Sequence, residues 1–291
     1  MATAKILVAG ATGNVGPTLV EHLLRSGHAV RVLARDPQKA TRLFGSRVEI
    51  VQGDLGDPAS LAPAFRDVAS AFVTTSPTPM LGEQEIPFID AARAAKLERL
   101  VKLSGFGIEF STDRIHAAHA RSEQRLRASG LPSVILRPVV YLSNLLFDAA
   151  AIKTGKLPSI FRDGRISLVD PRDVAEVAAR ALLEPAYAGQ TWEFGGPEAL
   201  SYDDVAATFT RVLGRRVEHV RLEDATFEAA ALQSGLPEFV VEAITSTATA
   251  AQSGKYEVND DVVRRVLGRR ASSLAAWIAR QRDAFAPSSR P

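Results

Sequence analysis

Seven residues near the amino terminus, Gly10-Ala11-Thr12-Gly13-Asn14-Val15-Gly16, have the composition of a loop that holds a pyrophosphate. Glycines let a chain turn tightly and bring bare backbone N–H groups up to an anion. The run Ile6-Leu7-Val8-Ala9 stands before them, and apolar residues at helical spacing (Val15, Leu19, Val20, Leu23, Leu24) stand after them. A buried strand, a glycine turn and a helix whose unpaired N–H groups face the loop form a dinucleotide-phosphate site, with the helix starting near Asn14. A plain helix start would leave the glycines unexplained.

Ligands of open α/β sheets bind beyond the carboxyl ends of the strands, so chemistry is sought there. Arg35 stands past the second apolar run, about twenty residues beyond the loop, where an NAD-selective domain offers a carboxylate to the ribose. A guanidinium there matches a 2′-phosphate and favours NADPH over NADH. The alternative is a surface arginine paired with its neighbour Asp36. Thr74, Thr75 and Ser76 end the fourth run and are placed to meet the ribose, although such residues are common at strand ends. His116 and His119 could share a metal, but no third ligand declares itself and no metal is expected. His119 is otherwise a polar group of the cleft, able to exchange a proton near neutrality, or a helix-surface histidine.

The elements that must position these residues alternate. Apolar runs at 6–9, 29–34, 48–51, 71–74, 100–103 and 134–136 are separated by helical patterns near 15–26, 37–43, 58–67, 83–96 and 114–129. This alternation predicts right-handed βαβ units: an α/β, Rossmann-type, doubly wound parallel sheet. Asp36-Pro37 and Asp57-Pro58 read as cap-then-proline helix starts. After Pro138 the rhythm changes to a loop around 156–164, a short strand at 166–169, a helix at 171–183 and a strand at 191–194. Helices then follow near 202–213, 224–233 and 236–248. The expected division is a nucleotide-binding domain over 1–150 and a smaller, mainly helical lobe over 151–291, with segments near 166–195 returning to the first. Asp170 and Asp173 read as helix caps, Ser201-Tyr202-Asp203-Asp204 as a helix start, 260–265 as a solvated helix face, and 287–291 as a frayed polar tail.

Composition narrows the classes. The chain has 291 residues and no cysteine, which excludes disulfides, thiolate nucleophiles and iron–sulfur clusters. Thirty-five basic against 33 acidic residues give a net charge of +2, no field suited to nucleic acid. No stretch approaches the roughly 18 apolar residues of a membrane span, and no signal segment is evident. A cytoplasmic protein with no nucleic-acid or membrane partner is expected; the oligomeric state is not legible.

The glycine spacing, G-x-x-G-x-x-G, resembles short-chain dehydrogenase/reductases of the extended and atypical kind. The chain is similar to the NmrA-like atypical group through that loop, Arg35-Asp36-Pro37, His119-x-x-x-Glu123, Leu136-Arg137-Pro138 with Asn144, Val169-Asp170-Pro171-Arg172-Asp173-Val174-Ala175, Gly195-Gly196-Pro197 and Val263-x-x-Val266-x-Gly268-Arg269. The likeness implies that Gly10, Thr12, Gly13, Asn14, Val15 and Gly16 line the phosphate path. It also implies that Asp54 and Leu55 touch the adenine, where the other reading is a simple turn. Pro138 belongs with the cofactor, and Ser104 would help hold a substrate carbonyl. The Tyr-x-x-x-Lys pair of short-chain reductases is missing, the departure that points to the NmrA-like group: Ile115 stands at the tyrosine position and His119 at the lysine position. In this family the loop after Pro138 passes the nicotinamide, which makes Tyr141 a surrogate acid or an apolar lining, and Asn144 a substrate contact. Phe106 and Phe147 read as substrate walls or as core.

Without the tyrosine, proton donation weakens, which an isolated ketone feels more than a delocalised acceptor. The resemblance therefore implies an NADPH-dependent reductase of quinone-like or conjugated aromatic small molecules. A non-catalytic NAD(P)-binding redox sensor and a biosynthetic tailoring ketoreductase are the alternatives.

Overall fold

Lys5–Ala9 has no polar face beyond its first residue, so it must be covered on both sides; in the computed structural model it is strand β1, and Ile6 to Ala9 are buried. The structure describes residues 5–286, and the polar tail 287–291 lies outside them. From β1 the chain continues through α1 (Gly16–Arg25), β2 (Val30–Ala34), α2 (Pro37–Phe44), β3 (Glu49–Gln52) and β4 (Val68–Val73). It goes on through α3 (Leu81–Ala94), β5 (Arg99–Leu103), α4 (Arg114–Ser129) and β6 (Ser133–Pro138). Then come α5 (Ala149–Lys153), β7 (Lys156–Ser159), α6 (Pro171–Leu183), β8 (Thr191–Phe194) and α7 (Tyr202–Leu213). Strand β9 (Glu218–Arg221) and helices α8 (Asp224–Gln233), α9 (Glu238–Gln252), α10 (Asp261–Leu267) and α11 (Leu274–Arg280) complete the described order.

Seven strands form one parallel sheet in the order β3-β2-β1-β4-β5-β6-β8, the α/β, Rossmann-type fold that the alternation of apolar runs predicts. Pairs such as Val8↔Val32, Val8↔Phe72 and Lys102↔Ile135 fix the register. The order reverses between β1 and β4, which opens a ligand crevice at their carboxyl ends. Leu7, Leu33, Phe65, Phe88, Leu100, Leu126 and Ile135 belong to one buried cluster on this sheet, with the Phe65 and Phe88 rings 4.8 Å apart.

Two compact units result. One comprises Met1–Ile108, Ile115–Arg137 and Arg172–Trp192; the other comprises Glu109–Arg114, Pro138–Pro171 and Glu193–Pro291.

Three local elements differ from the sequence expectation. The helix over 58–67 is instead two 3-10 turns, Pro58–Ser60 and Ala62–Phe65, because Pro63 lacks an N–H and disfavours α geometry at Ala62. The loop at 156–164 contains β7, which pairs in parallel with β9, a strand that four residues of mixed polarity did not announce. The strand at 166–169 makes only isolated bridges, Ile166↔Leu200 and Tyr141↔Val169. Its backbone is shared out instead: Ser167 N donates to Tyr256 O, Gly196 N to Ser167 O, and Leu142 N to Val169 O.

The second unit is pinned by a chain of side chains. Ser159 Oγ lies 2.8 Å from His219 Nε2, and His219 Nδ1 lies 2.8 Å from Asp203 Oδ1, which joins β7, β9 and the first turn of α7. Arg221 holds the other Asp203 oxygen at 3.0 Å, and the Tyr202 ring stacks on Phe161 at 4.8 Å. Ser159 and the His219 side chain are buried, so the chain is structural. His219→Leu, which removes both hydrogen bonds from a buried position, is expected to lower the melting temperature by about 3–8 °C in a calorimetric scan. An unchanged midpoint would show that the two bonds contribute nothing net.

Candidate functional site

The glycine loop leaves β1 at Gly10, whose φ is +86°. A Cβ there would lie 2.4 Å from Thr74 Cγ2 and 2.7 Å from Thr74 O, so only glycine fits between the ends of β1 and β4. At Gly16 a Cβ would stand 2.3 Å from Gly10 O, so the third glycine lets α1 begin directly against the turn. The helix starts at Gly16, two residues later than expected, with Val15 at its N-cap and Pro17 in its first turn. No cap side chain and no acidic residue occupies that end, so its N–H groups and positive dipole end stay available to an anion. Thr12 is half-buried, Gly13 and Asn14 are exposed, and the Val15 side chain is core.

Arg35 follows the last residue of β2 and is exposed. Among the described residues it makes no hydrogen bond or ion pair. Its neighbour Asp36 instead caps α2, accepting from Lys39 N at 3.0 Å, and lies 4.0 Å from Arg42. Past β3, Asp54 accepts Gly56 N at 2.9 Å as a turn, while Leu55 packs on the core cluster. Thr74, Thr75 and Ser76 follow β4, and Thr75 Oγ1 is buried with no partner. A glycine cradle, a helix end, an unpartnered arginine and an orphaned hydroxyl are what an extended dinucleotide would use.

Ser104, just past β5, donates its hydroxyl proton to Glu123 Oε1 at 2.7 Å. Arg137, at the end of β6, grips the same carboxylate with both arms: Nε to Oε1 at 2.9 Å and Nη2 to Oε2 at 2.7 Å. Arg127 adds a contact to Oε2 at 3.0 Å. Burial raises the Glu123 pKa, but hydrogen bonds from Arg137 and Ser104 and the Arg137 charge outweigh it, so the carboxyl is held below its usual range. The carboxylate is thus ionised, and Ser104 must be the donor.

Helix α4 carries His119, Ser122 and Glu123 at i, i+3 and i+4, and therefore on one face. The His119 ring packs on Gly105, where a Cβ would lie 3.4 Å from Cδ2, and its Nδ1 is buried without a partner. Burial, and then the charges of Lys102, His116 and Arg137, keep its pKa well below the ordinary histidine range. His119 is therefore a neutral imidazole at pH 7, not a ready proton donor. His116 Nε2 is 2.9 Å from Phe106 O, and Ile115 and Phe106 are buried. Beneath them lies a second polar cluster. Lys102 Nζ meets Glu85 Oε2 at 2.5 Å, Ser122 Oγ reaches the same oxygen at 2.6 Å, and Lys102 and Glu85 are fully buried.

Pro138, Tyr141 and Asn144 belong to the second unit. Pro138 is buried at the end of β6; Tyr141 is half-buried and Asn144 exposed. Burial pushes the Tyr141 hydroxyl pKa upward, with no cation to oppose it. Phe147 is 88% exposed and so is not core. Among the described residues no group of three metal-ligating side chains gathers, and no helix is long and apolar enough to cross a membrane.

Glu85, Ser122 and Lys102 escaped sequence reasoning, and Arg137 and Glu123 entered it only as motif letters. The usable signal was charge inside apolar strands: Lys102 in Leu-Val-Lys-Leu and Arg137 in Val-Ile-Leu-Arg, positions that tolerate charge only with a buried partner.

The chain is similar to known reductases over almost its whole length. A (4-alkanoyl-5-oxo-2,5-dihydrofuran-3-yl)methyl phosphate reductase of Streptomyces griseus is 36% identical over 97% of this chain and 99% of its own. An NAD(P)H azoreductase of Xenophilus azovorans is 30% identical over 96% and 99%. The NADPH complex of a quinone oxidoreductase from Escherichia coli superposes with a TM-score of 0.87, at 27% identity, over 95% of this chain and 99% of that one. The NmrA-like family model matches residues 2–277. With its glycine loop, its seven-stranded sheet and a match over almost its whole length, the chain belongs to the NmrA-like family.

Proposed function

We propose that this NAD(P)H-dependent reductase transfers hydride from NADPH to a polarised conjugated acceptor, a quinone-like ring or an alkene flanked by carbonyls. The observation that carries the reading is the lack of an acid: Ile115 replaces the tyrosine, His119 is a neutral imidazole, and the Ser104 proton lies on Glu123. General acid catalysis is worth about 10²–10⁴ to a reaction that builds localised negative charge on oxygen. Acceptors that spread the incoming electrons over a conjugated system need it least and can take their proton from water. Quinone, azo and acyl-dihydrofuranone compounds, the substrates in the relatives' names, share that property.

The chain's own residues divide the work. The Gly10–Gly16 loop and the amino end of α1 would hold the pyrophosphate, Arg35 the 2′-phosphate, and Asp54, Leu55 and Thr74 to Ser76 the adenosine and ribose. Once bound, the reduced nicotinamide supplies two electrons as hydride. In the first unit His119 would orient the ring by hydrogen bonding and Phe106 would be an acceptor contact; in the second unit Tyr141 and Asn144 are the candidate substrate contacts, Tyr141 as a hydrogen-bond donor that keeps its proton.

The test is NADPH consumption by the purified chain with a 1,4-quinone, an azo dye, a 2-acylbutenolide and an isolated aryl ketone. The conjugated acceptors are expected to exceed the ketone by about 10²-fold or more in kcat/KM; equal rates overturn the reading. Tight NADPH binding with no turnover of any acceptor would replace catalysis by sensing. His119→Ala is expected to lower kcat. His119 should add no limb to the wild-type pH–rate profile at the ordinary histidine value of about 6.5, because burial holds its folded pKa well below that value.

A further inference from the structure

We propose that Ser104 is a hydrogen-bond acceptor for the carboxamide N–H of the bound nicotinamide, fixed in that sense by Glu123 and Arg137, and not a donor to a substrate carbonyl. The inference rests on dinucleotide binding at this site and is independent of which acceptor is reduced.

A serine hydroxyl has one proton and two lone pairs. Here the proton lies on Glu123 Oε1, 2.7 Å away. That carboxylate already receives Arg137 through Nε and Nη2, at 2.9 and 2.7 Å, and Arg127 at 3.0 Å. Three guanidinium N–H groups on two oxygens leave it ionised and without a proton to return. Glu123 and Arg137 are 3% and 6% exposed, so solvent does not loosen the arrangement. The backbone is fixed as well, with Ser104 N donating to Leu136 O at 2.7 Å. Rotating the hydroxyl to donate elsewhere would strip a buried carboxylate of a partner, a costly change. Ser104 can therefore offer only lone pairs, and whatever meets it must bring an N–H or O–H.

The sheet order says which part of a dinucleotide that is. The pyrophosphate loop stands on β1, and Arg35 and Asp54 stand past β2 and β3, on one side of it. An extended dinucleotide thus lays its other half across β4 and β5, where Ser104 ends β5. A nicotinamide ring carries its N–H donors on the carboxamide alone. A ketone, a quinone and an azo group bring only acceptors, which Ser104 in this state cannot satisfy. Glu123 and Arg137 are positioning residues: they act through Ser104.

The experiment compares calorimetric affinities of the full chain for NADP⁺ and for its 3-acetylpyridine analogue, in which a methyl replaces the carboxamide NH₂. No turnover is needed. Wild type should favour NADP⁺ by about 5–20-fold, the size of one hydrogen bond to a well-placed acceptor. Ser104→Ala should weaken NADP⁺ by that factor and leave the analogue unchanged, so the ratio falls to about 1. Ser104→Thr keeps the hydroxyl and should restore the ratio. Glu123→Gln can turn an amide donor towards Ser104 and free its proton, so the ratio should fall while the analogue still binds. A purely structural role for Ser104 would move both affinities together, and that result overturns the inference, as does a wild-type ratio of 1. Failure of wild type to bind either dinucleotide overturns the cofactor assignment and this inference with it.

Discussion

Glu85→Ala should destabilise the protein by about 3–5 kcal/mol, because it strands the Lys102 ammonium in the interior with no counter-charge. Both side chains are fully buried and meet at 2.5 Å, with Ser122 Oγ on the same carboxylate oxygen at 2.6 Å. Among the described residues the one other acceptor of Lys102 is Leu103 O at 3.4 Å, too long to replace a carboxylate. For a chain of this length the loss corresponds to a fall in melting temperature of roughly 10 °C or more. The companion variant Lys102→Met with Glu85→Leu removes both charges at similar volume. It should recover most of the loss, since a buried pair adds little over a well-packed apolar pair. A Glu85→Ala midpoint within a degree or two of wild type would mean that water or a shifted protonation state already relieves the charge. The cluster ties α3 and α4 to β5 at Lys102, two residues before Ser104, so the same variant should also loosen the Ser104–Glu123 contact.

The legible parts of the chain were those encoded locally. Gly10 and Gly16 need their glycines because of atoms within a few residues or on the adjacent strand, and the loop was readable as a unit. Asp36-Pro37 opened α2 as a cap and proline should, whereas the solvated face expected over 260–265 holds for Asp261, Arg264 and Arg265 but not for Asp260 and Val263, which are buried. What escaped depends on partners far apart in sequence. Glu85 meets Lys102 seventeen positions away, Ser104 meets Glu123 at nineteen, and Arg31 reaches across to Glu49 and the carbonyl of Ala64. A charge in an apolar run announces that some partner exists but does not say which. Strand β7 was hidden for another reason: Pro158 and two flanking polar residues read as loop, and only pairing with β9 makes them a strand. The neutral state of His119 was equally invisible, because it follows from desolvation and neighbouring cations, which a single sequence does not display.

Arg35→Ala should separate the two nicotinamide cofactors. The side chain stands exposed past β2 with no partner among the described residues, while Asp36 beside it is committed to the α2 cap through Lys39 N. Removing the guanidinium therefore breaks nothing in the fold, and its effect should appear only when a phosphate is there to be met. Charge-assisted hydrogen bonds of a guanidinium to phosphate are worth about 1.5–3 kcal/mol. NADPH affinity is thus expected to fall by roughly 10–100-fold while NADH affinity stays within about twofold of wild type. Arg35→Lys should recover part of the NADPH affinity, because an ammonium restores the charge but not the planar fork. Raising the salt concentration should weaken NADPH binding to wild type more than to Arg35→Ala, since an exposed contact is screened. Equal losses for both cofactors would assign Arg35 to the adenosine or to the loop itself, and the 2′-phosphate would then need another cation.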